Sequence, residues 1–127
     1  MTVLLVDTSL QLMQRLEEIL LEKPGIRTLL KATTREEAAT FLDNNKMDIV
    51  LLDCGLTGNG TMDLLKKIKD SSPGTAVIIL SNWNNYFPKM EFISNGADFI
   101  LDKFYEFEKM PAIIHQIFIS KNGHQVK

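Results

Sequence analysis

Four residues with chemically active side chains each follow a short apolar run of the chain. They are two aspartates, a serine and a lysine: Asp7, Asp53, Ser81 and Lys103. Paired carboxylates are hard oxygen donors that suit Mg²⁺, an ion that keeps several waters and accepts phosphate oxygens. An aspartate beside such a cation can attack phosphorus and form an aspartyl phosphate. Mg²⁺ and Lys103 would then offset the charge on the phosphoryl oxygens, and Ser81 would donate a hydrogen bond to one of them.

Each of these residues also has a purely structural interpretation. An aspartate at the end of a strand often caps a helix or forms a turn, and a lysine there often points into water. Four matching residue types at the ends of four apolar runs nevertheless favour a shared chemical role.

That role requires the runs to end at one place, and their composition predicts how this is achieved. Short runs rich in Val, Ile and Leu predict strands at residues 3–6, 49–52, 76–80 and 99–101. Such continuous apolar runs are typical of parallel strands that are covered on both faces. Residues 26–32 are more polar and are predicted to form an edge strand.

Helical patterns separate the strands. Five helices are predicted. The first has apolar residues from Leu10 to Leu20, the second begins with the capping box Thr34-x-x-Glu37, and the third has Met62, Leu65 and Ile68 on one face. The fourth has Pro88 in its first turn and Gly96 at its end, and the fifth has an apolar stripe from Phe107 to Phe118. Strand and helix therefore alternate five times, which predicts a doubly wound α/β domain. Ligands of such sheets bind at the carboxyl ends of the strands, where the four polar residues lie.

The composition predicts one domain over residues 1–120 with a polar tail at 121–127. The formal charge is -2 and the basic residues are scattered, so direct binding to nucleic acid is not expected. No apolar run is long enough to cross a bilayer. The single cysteine, Cys54, and the absence of a leader-like segment favour the cytoplasm.

Four segments in this order resemble the receiver domains of two-component response regulators: VLLVDTS, DIVLLDCGL, AVIILSN and GADFILDK. The resemblance covers essentially the whole chain. It implies a flavodoxin-like fold, with a five-stranded parallel sheet in the order 2-1-3-4-5 and five helices. It also implies phosphorylation that depends on Mg²⁺. Asp53 matches the phosphoacceptor, Asp7 an acidic-pocket residue, Ser81 the hydroxyl residue and Lys103 the lysine, and the main-chain carbonyl of Gly55 matches a metal ligand.

Thr8 departs from the family pattern, because receiver domains usually carry a second acid at this position. The loss of a carboxylate ligand predicts weaker Mg²⁺ binding. We favour Thr8 as the cap of the first helix in a Thr8-x-x-Gln11 capping box, with a neutral ligand or water carrier as the alternative.

Ile100 stands where the family has Tyr or Phe, three residues before the lysine. A β-branched aliphatic side chain cannot act as the usual aromatic switch. Phe99 is one residue away and is therefore predicted to lie on the opposite face of its strand.

The loops near the site also differ from the family. Phe104 replaces the proline that commonly follows the lysine, so either a strained cis peptide bond or a different loop path is expected. Thr57 and Thr61 replace a common proline and glycine, and the bulky Asn82 is expected to narrow access to Asp53.

Other functions have weaker support. The segment GLTGNGT lacks the lysine of a P-loop, and no glycine-rich phosphate cradle follows the first strand, which disfavours a nucleotide or flavin enzyme. Trp83, Tyr86 and Phe87 form either a folded loop or a contact patch for a partner.

The leading hypothesis is a single-domain response regulator receiver that is not an enzyme. A sensor histidine kinase, a phosphotransfer protein or a small phosphodonor would phosphorylate Asp53, and an unknown downstream protein would bind the surface of the fourth helix, fifth strand and fifth helix. The receiver would be a monomer or weak dimer. The alternative, favoured by Thr8 and Ile100, is an unphosphorylated interaction scaffold with the same fold.

Overall fold

The computed structural model of the protein describes residues 1–23, 25–56, 59–81 and 88–122, without the side chain of Asn122. Several residues discussed above lie outside this part of the chain: Thr57, Asn82, Trp83, Tyr86, Phe87 and most of the predicted tail.

One sheet of five parallel strands organises the domain, in the order β2-β1-β3-β4-β5. The strands are β1 (Thr2–Val6), β2 (Thr28–Ala32), β3 (Ile49–Asp53), β4 (Ala76–Ser81) and β5 (Phe99–Asp102). β3 is buried along its whole length, whereas β2 lies at an edge and is partly exposed. The predicted fold class, strand order and edge position of β2 are confirmed.

Five α-helices cover the two faces of the sheet in the described part of the chain. They are α1 (Leu10–Leu21), α2 (Arg35–Asn44), α3 (Gly60–Ser71), α4 (Lys89–Ser94) and α5 (Met110–Asn122). A short 3-10 helix at Phe107–Lys109 leads into α5, so the predicted fifth stripe begins in a different helical form. α5 continues through Lys121 and Asn122, two residues into the segment expected to be a polar tail.

The core has two layers because side chains alternate along each strand. On one face, residues such as Leu5, Leu51 and Ile78 pack with the apolar stripes of α1 and α5. On the other, residues such as Leu4, Val50 and Ile79 pack with α2, α3 and α4. The inner strands are thus fixed from both sides, and polar side chains are available where these strands end.

The helix ends follow the predicted signals with local shifts. Thr34 caps α2 by accepting a hydrogen bond from the Glu37 N–H, and Glu37 Oε1 also accepts from the N–H and hydroxyl of Thr33. Pro88 lies at the cap position just before α4 instead of within its first turn. Gly96, with φ of 104°, follows the end of α4 as predicted. No helix among the described residues has the length and apolar character needed to cross a bilayer.

Candidate functional site

Three of the four predicted site residues meet at the carboxyl edge of the sheet. Val6 pairs with Leu52 in neighbouring strands, so Asp7 and Asp53 emerge side by side. The Lys103 Nζ atom lies 3.3 Å from Asp7 Oδ2 and 2.9 Å from Asp53 Oδ1. The two aspartates are 1% and 4% exposed, which makes this a buried, charged triad.

Burial and the neighbouring charges shift the pKa values of Asp7 and Lys103. Burial raises the pKa of Asp7 above its usual value; the Ser9 N–H hydrogen bond opposes this shift, the charge of Asp53 adds to it and Lys103 opposes it. Burial alone lowers the pKa of Lys103, but the hydrogen bonds and charges of Asp53 and Asp7 outweigh burial and raise it. Two carboxylates and one ammonium leave a formal charge of about -1. The site therefore favours an additional cation.

The two oxygens of Asp53 have different environments. Oδ1 accepts the hydrogen bond from Lys103, whereas Oδ2 makes no hydrogen bond with the residues that the structure describes. A Cβ atom placed on Gly55 would lie 3.6 Å from this Oδ2. The Gly55 backbone therefore runs beside the carboxylate, and glycine leaves the space next to Oδ2 open.

The donor set suits Mg²⁺ rather than a softer metal. The described residues contain no cluster of three or more His, Cys, Asp or Glu side chains, and the site itself offers two carboxylates. Mg²⁺ commonly takes one or two carboxylates and completes its shell with other oxygens and water. Asp7, Asp53 and the main-chain carbonyl of Gly55 are oxygen donors of the kind that Mg²⁺ takes.

Ser81, the fourth predicted site residue, lies next to the triad in the backbone, where its carbonyl accepts the Lys103 N–H at 3.0 Å, but its hydroxyl bonds to another strand. It ends β4 and is 9% exposed, and its hydroxyl donates to the Leu101 carbonyl at 3.2 Å. The adjacent Leu80 is the residue that pairs with Asp53 in the sheet. Ser81 is therefore near the site in register, but its hydroxyl is engaged with β5.

Residues 3–115 match the family model of the response regulator receiver domain. The chain belongs to that family. The resemblance seen in the four sequence segments is thereby confirmed.

Two curated relatives illustrate the similarity of this receiver domain. The two-component response regulator PhoP of Pseudomonas aeruginosa is 26% identical over 88 residues, which are 69% of this chain and 39% of PhoP. The nitrate/nitrite response regulator protein NarL of Escherichia coli is 24% identical over 115 residues, 91% of this chain and 53% of NarL. The chain thus spans 39% and 53% of the lengths of these two relatives.

Solved structures show the same fold. The response regulator domain of Thermotoga maritima CheB has a TM-score of 0.79 and 22% identity, with 96% of each chain covered. The signal receiver domain of a LuxO repressor protein from Vibrio parahaemolyticus has a TM-score of 0.83 and 22% identity, with 99% of this chain and 96% of that chain covered.

The prediction that Thr8 caps α1 is wrong. Thr8 is exposed, and Ser9 is the cap, since its hydroxyl accepts a hydrogen bond from the Leu12 N–H at 3.2 Å. Asp7 explains the shift, because its Oδ1 accepts the Ser9 N–H at 2.8 Å and so holds Ser9 in the cap position. One aspartate of the receiver site thus also fixes the start of a helix.

The segment after Lys103 takes a different path from a cis-proline loop. The described residues contain no cis peptide bond, and Asp102 Oδ1 accepts the N–H groups of Phe104 and Tyr105, each at 2.8 Å. The Glu106 carboxylate accepts the Asp102 N–H in return, at 3.0 Å. Sequence reasoning missed Asp102, although an aspartate is a recognisable turn signal, because its side chain can accept hydrogen bonds from N–H groups two or three residues further along the chain.

An aliphatic residue occupies the position of the family's aromatic switch, and its side chain is packed against the core. Ile100 packs against the layer formed by α2, α3 and α4, whereas Phe99 packs against the layer of α1 and α5. The two side chains lie on opposite faces of β5, as predicted from the strand period. Phe99 therefore does not replace the missing aromatic residue of this receiver.

Proposed function

We propose that this receiver accepts a phosphoryl group on Asp53 in a Mg²⁺-dependent reaction and signals through contacts with other proteins. Phosphorylation and Mg²⁺ dependence are general features of receiver domains. The observation that carries the proposal is the Lys103 ammonium shared by two buried carboxylates, one of which keeps an oxygen free of hydrogen bonds with the described residues.

In the proposed reaction, an oxygen of Asp53 attacks the phosphorus of a phosphohistidine or an acyl phosphate. The new oxygen–phosphorus bond forms as the bond to the donor nitrogen or oxygen breaks, and the donor leaves with that electron pair. Lys103 already contacts Asp53 and would neutralise charge on the phosphoryl oxygens. Ser81 would have to release the Leu101 carbonyl before its hydroxyl could bind one of those oxygens.

Asp7, Asp53 and the Gly55 carbonyl are the residues proposed to hold Mg²⁺. When bound, the ion would offset the negative charge of the two carboxylates and of the phosphoryl group. Thr8 supplies no carboxylate and is exposed, so we expect weaker binding than in receivers that have two acids here.

The proposed partners are proteins: a histidine kinase or phosphotransfer protein as donor, and a downstream protein that binds the surface of α4, β5 and α5. Two large apolar side chains of α4 are exposed on this surface, Met90 at 73% and Ile93 at 46%. Exposed apolar residues of this size are common where proteins associate. The proposal concerns a signalling module and not a metabolic catalyst.

The test is incubation with acetyl phosphate and Mg²⁺, followed by intact mass spectrometry. The wild-type protein should gain the mass of one phosphoryl group, and the Asp53→Asn variant should gain none. An Asp43→Asn variant, which changes an exposed aspartate of α2, should be modified like the wild type.

A second candidate function is an unphosphorylated scaffold, favoured by the exposed Thr8 and the packed Ile100. The same experiment separates the two candidates. An unmodified wild-type protein, or equal modification of the Asp53→Asn variant, would contradict phosphorylation of Asp53 and favour the scaffold.

A further inference from the structure

Thr61 connects the start of α3 to the turn that follows Asp53. It is the second residue of α3 and is 3% exposed. Its hydroxyl donates to the main-chain carbonyl of Asp53 at 2.7 Å and accepts from the Leu56 N–H at 3.3 Å. Both hydrogen-bonding functions of this buried hydroxyl are thus used on the loop of the site.

The two groups that Thr61 binds are the ends of a four-residue turn. A carbonyl of residue i and the N–H of residue i+3 are the pair that closes a β-turn. The Thr61 hydroxyl bonds to both members of this pair at residues 53–56, so a side chain from α3 fastens the two ends together. The turn is therefore fixed to the helix α3.

Gly55 lies inside this turn, beside the Asp53 carboxylate. Any shift of the turn would change the distance between the Gly55 main chain and Asp53 Oδ2. Gly60 allows the close approach of α3, since a Cβ atom there would lie 3.1 Å from Leu56 Cβ. Thr61 is thus placed to set the relative position of two groups proposed to bind the metal.

We propose that Thr61 is a positioning residue for Mg²⁺: its hydroxyl holds the turn so that the Gly55 carbonyl and the Asp53 carboxylate face one cation. This inference rests on the proposed function. A turn fixed before binding saves the cost of ordering it during binding. Such a gain is useful in a receiver in which Thr8 provides no second acid.

The test compares Thr61→Val, which keeps the shape but lacks the hydroxyl, with Thr61→Ser, which keeps the hydroxyl. Thr75→Val is the matched control, because Thr75 is also 3% exposed and its hydroxyl donates to the Met47 carbonyl at 2.7 Å. Thr75 precedes β4, at the opposite edge of the sheet. It tests whether loss of any buried hydroxyl weakens binding.

The first measurement is Mg²⁺ affinity by isothermal titration calorimetry on the full chain. Loss of a group that supports a metal ligand typically costs 10- to 100-fold, so Thr61→Val should raise the Kd about tenfold or more, and Thr61→Ser and Thr75→Val should change it less than about twofold. The second measurement is hydrogen exchange in the absence of metal. The Leu56 amide should exchange faster in Thr61→Val than in the wild type or in Thr75→Val.

An unchanged Kd in Thr61→Val, an equal loss in Thr75→Val, or a wild-type protein that does not bind Mg²⁺ would overturn the inference. Phosphorylation is scored separately by mass. A wild-type protein that binds Mg²⁺ but takes no phosphate would contradict the proposed function, and a tenfold effect of Thr61→Val would still support the positioning role.

Discussion

At the residue scale, the most consequential feature is the excess of carboxylate over ammonium in a buried site. Lys103 contacts both Asp7 and Asp53 and so compensates one of the two negative charges. The remaining charge disfavours the ionised form of Asp7, whose pKa is raised mainly by burial. The uncompensated charge therefore lowers the stability of the metal-free domain and, at the same time, favours the binding of a cation.

The raised pKa of Asp7 predicts the sign of a pH effect. A carboxyl group that binds its proton more tightly in the folded state makes folding less favourable as pH rises from the unfolded value, 3.8, through the folded value. The difference in unfolding free energy, wild type minus Asp7→Asn, should therefore decrease as the pH rises above 3.8. Urea denaturation in EDTA measures it.

The exposed Asp70, at the end of α3, provides a matched control, because Asp70→Asn removes a carboxylate far from the triad. A difference for Asp7→Asn that rises with pH would contradict the burial effect on Asp7.

At the element scale, segment ends depend on contacts that the sequence alone does not reveal. The periodic apolar patterns predicted α1 and β5, because burial of a stripe or face is a property of the segment itself. The sequence favours Thr8 as the cap of α1, whereas the folded chain uses Ser9, because the Ser9 N–H donates a hydrogen bond to Asp7. The sequence does not distinguish between two paths for the turn after β5, since the roles of Asp102 and Glu106 depend on backbone groups that folding brings to them.

The turn after β5 gives a prediction at this scale. Asp102→Ala removes the acceptor of two N–H groups and should lower the unfolding free energy by about 1 to 3 kcal/mol, since each hydrogen bond contributes about 0.5 to 1.5 kcal/mol. Asp102→Asn keeps an acceptor oxygen, and its amide would replace Oδ2, which has no partner among the described residues. We therefore expect a smaller loss for Asp102→Asn in urea denaturation. Equal losses in the two variants would contradict the role of Asp102 Oδ1 in this turn.

At the scale of the whole molecule, the sheet order explains both the fold and the convergence of the triad. Alternating apolar strands and helices predict a doubly wound α/β domain, the resemblance to receiver domains implies the strand order, and the ends of parallel strands share one edge. The sequence therefore indicated Asp7, Asp53 and Lys103 as neighbours. It did not indicate that the Ser81 hydroxyl binds Leu101 or that Thr61 binds the Asp53 carbonyl, because each hydroxyl selects among several partners in the folded chain.

The sheet order also predicts a gradient of local stability. β3 pairs with strands on both sides and is fully buried, whereas β2 pairs, among the residues described, only with β1 and is partly exposed. Opening β2 exposes less apolar surface than opening β3. Amides of β3 should exchange at least about tenfold more slowly than those of β2 in native-state hydrogen exchange. Equal protection of the two strands would show that the domain opens as one unit.

The ion pair between Lys103 and Asp53 also connects the site to the backbone that follows β5. Lys103 extends from the outer strand to two inner strand ends and shares a backbone segment with Asp102 and Glu106, which lead toward α5. Any new charge on Asp53 would change the electrostatic attraction between Asp53 and the Lys103 ammonium. A change in this ion pair would act first on the backbone of residues 103–106, the segment that leads toward α5.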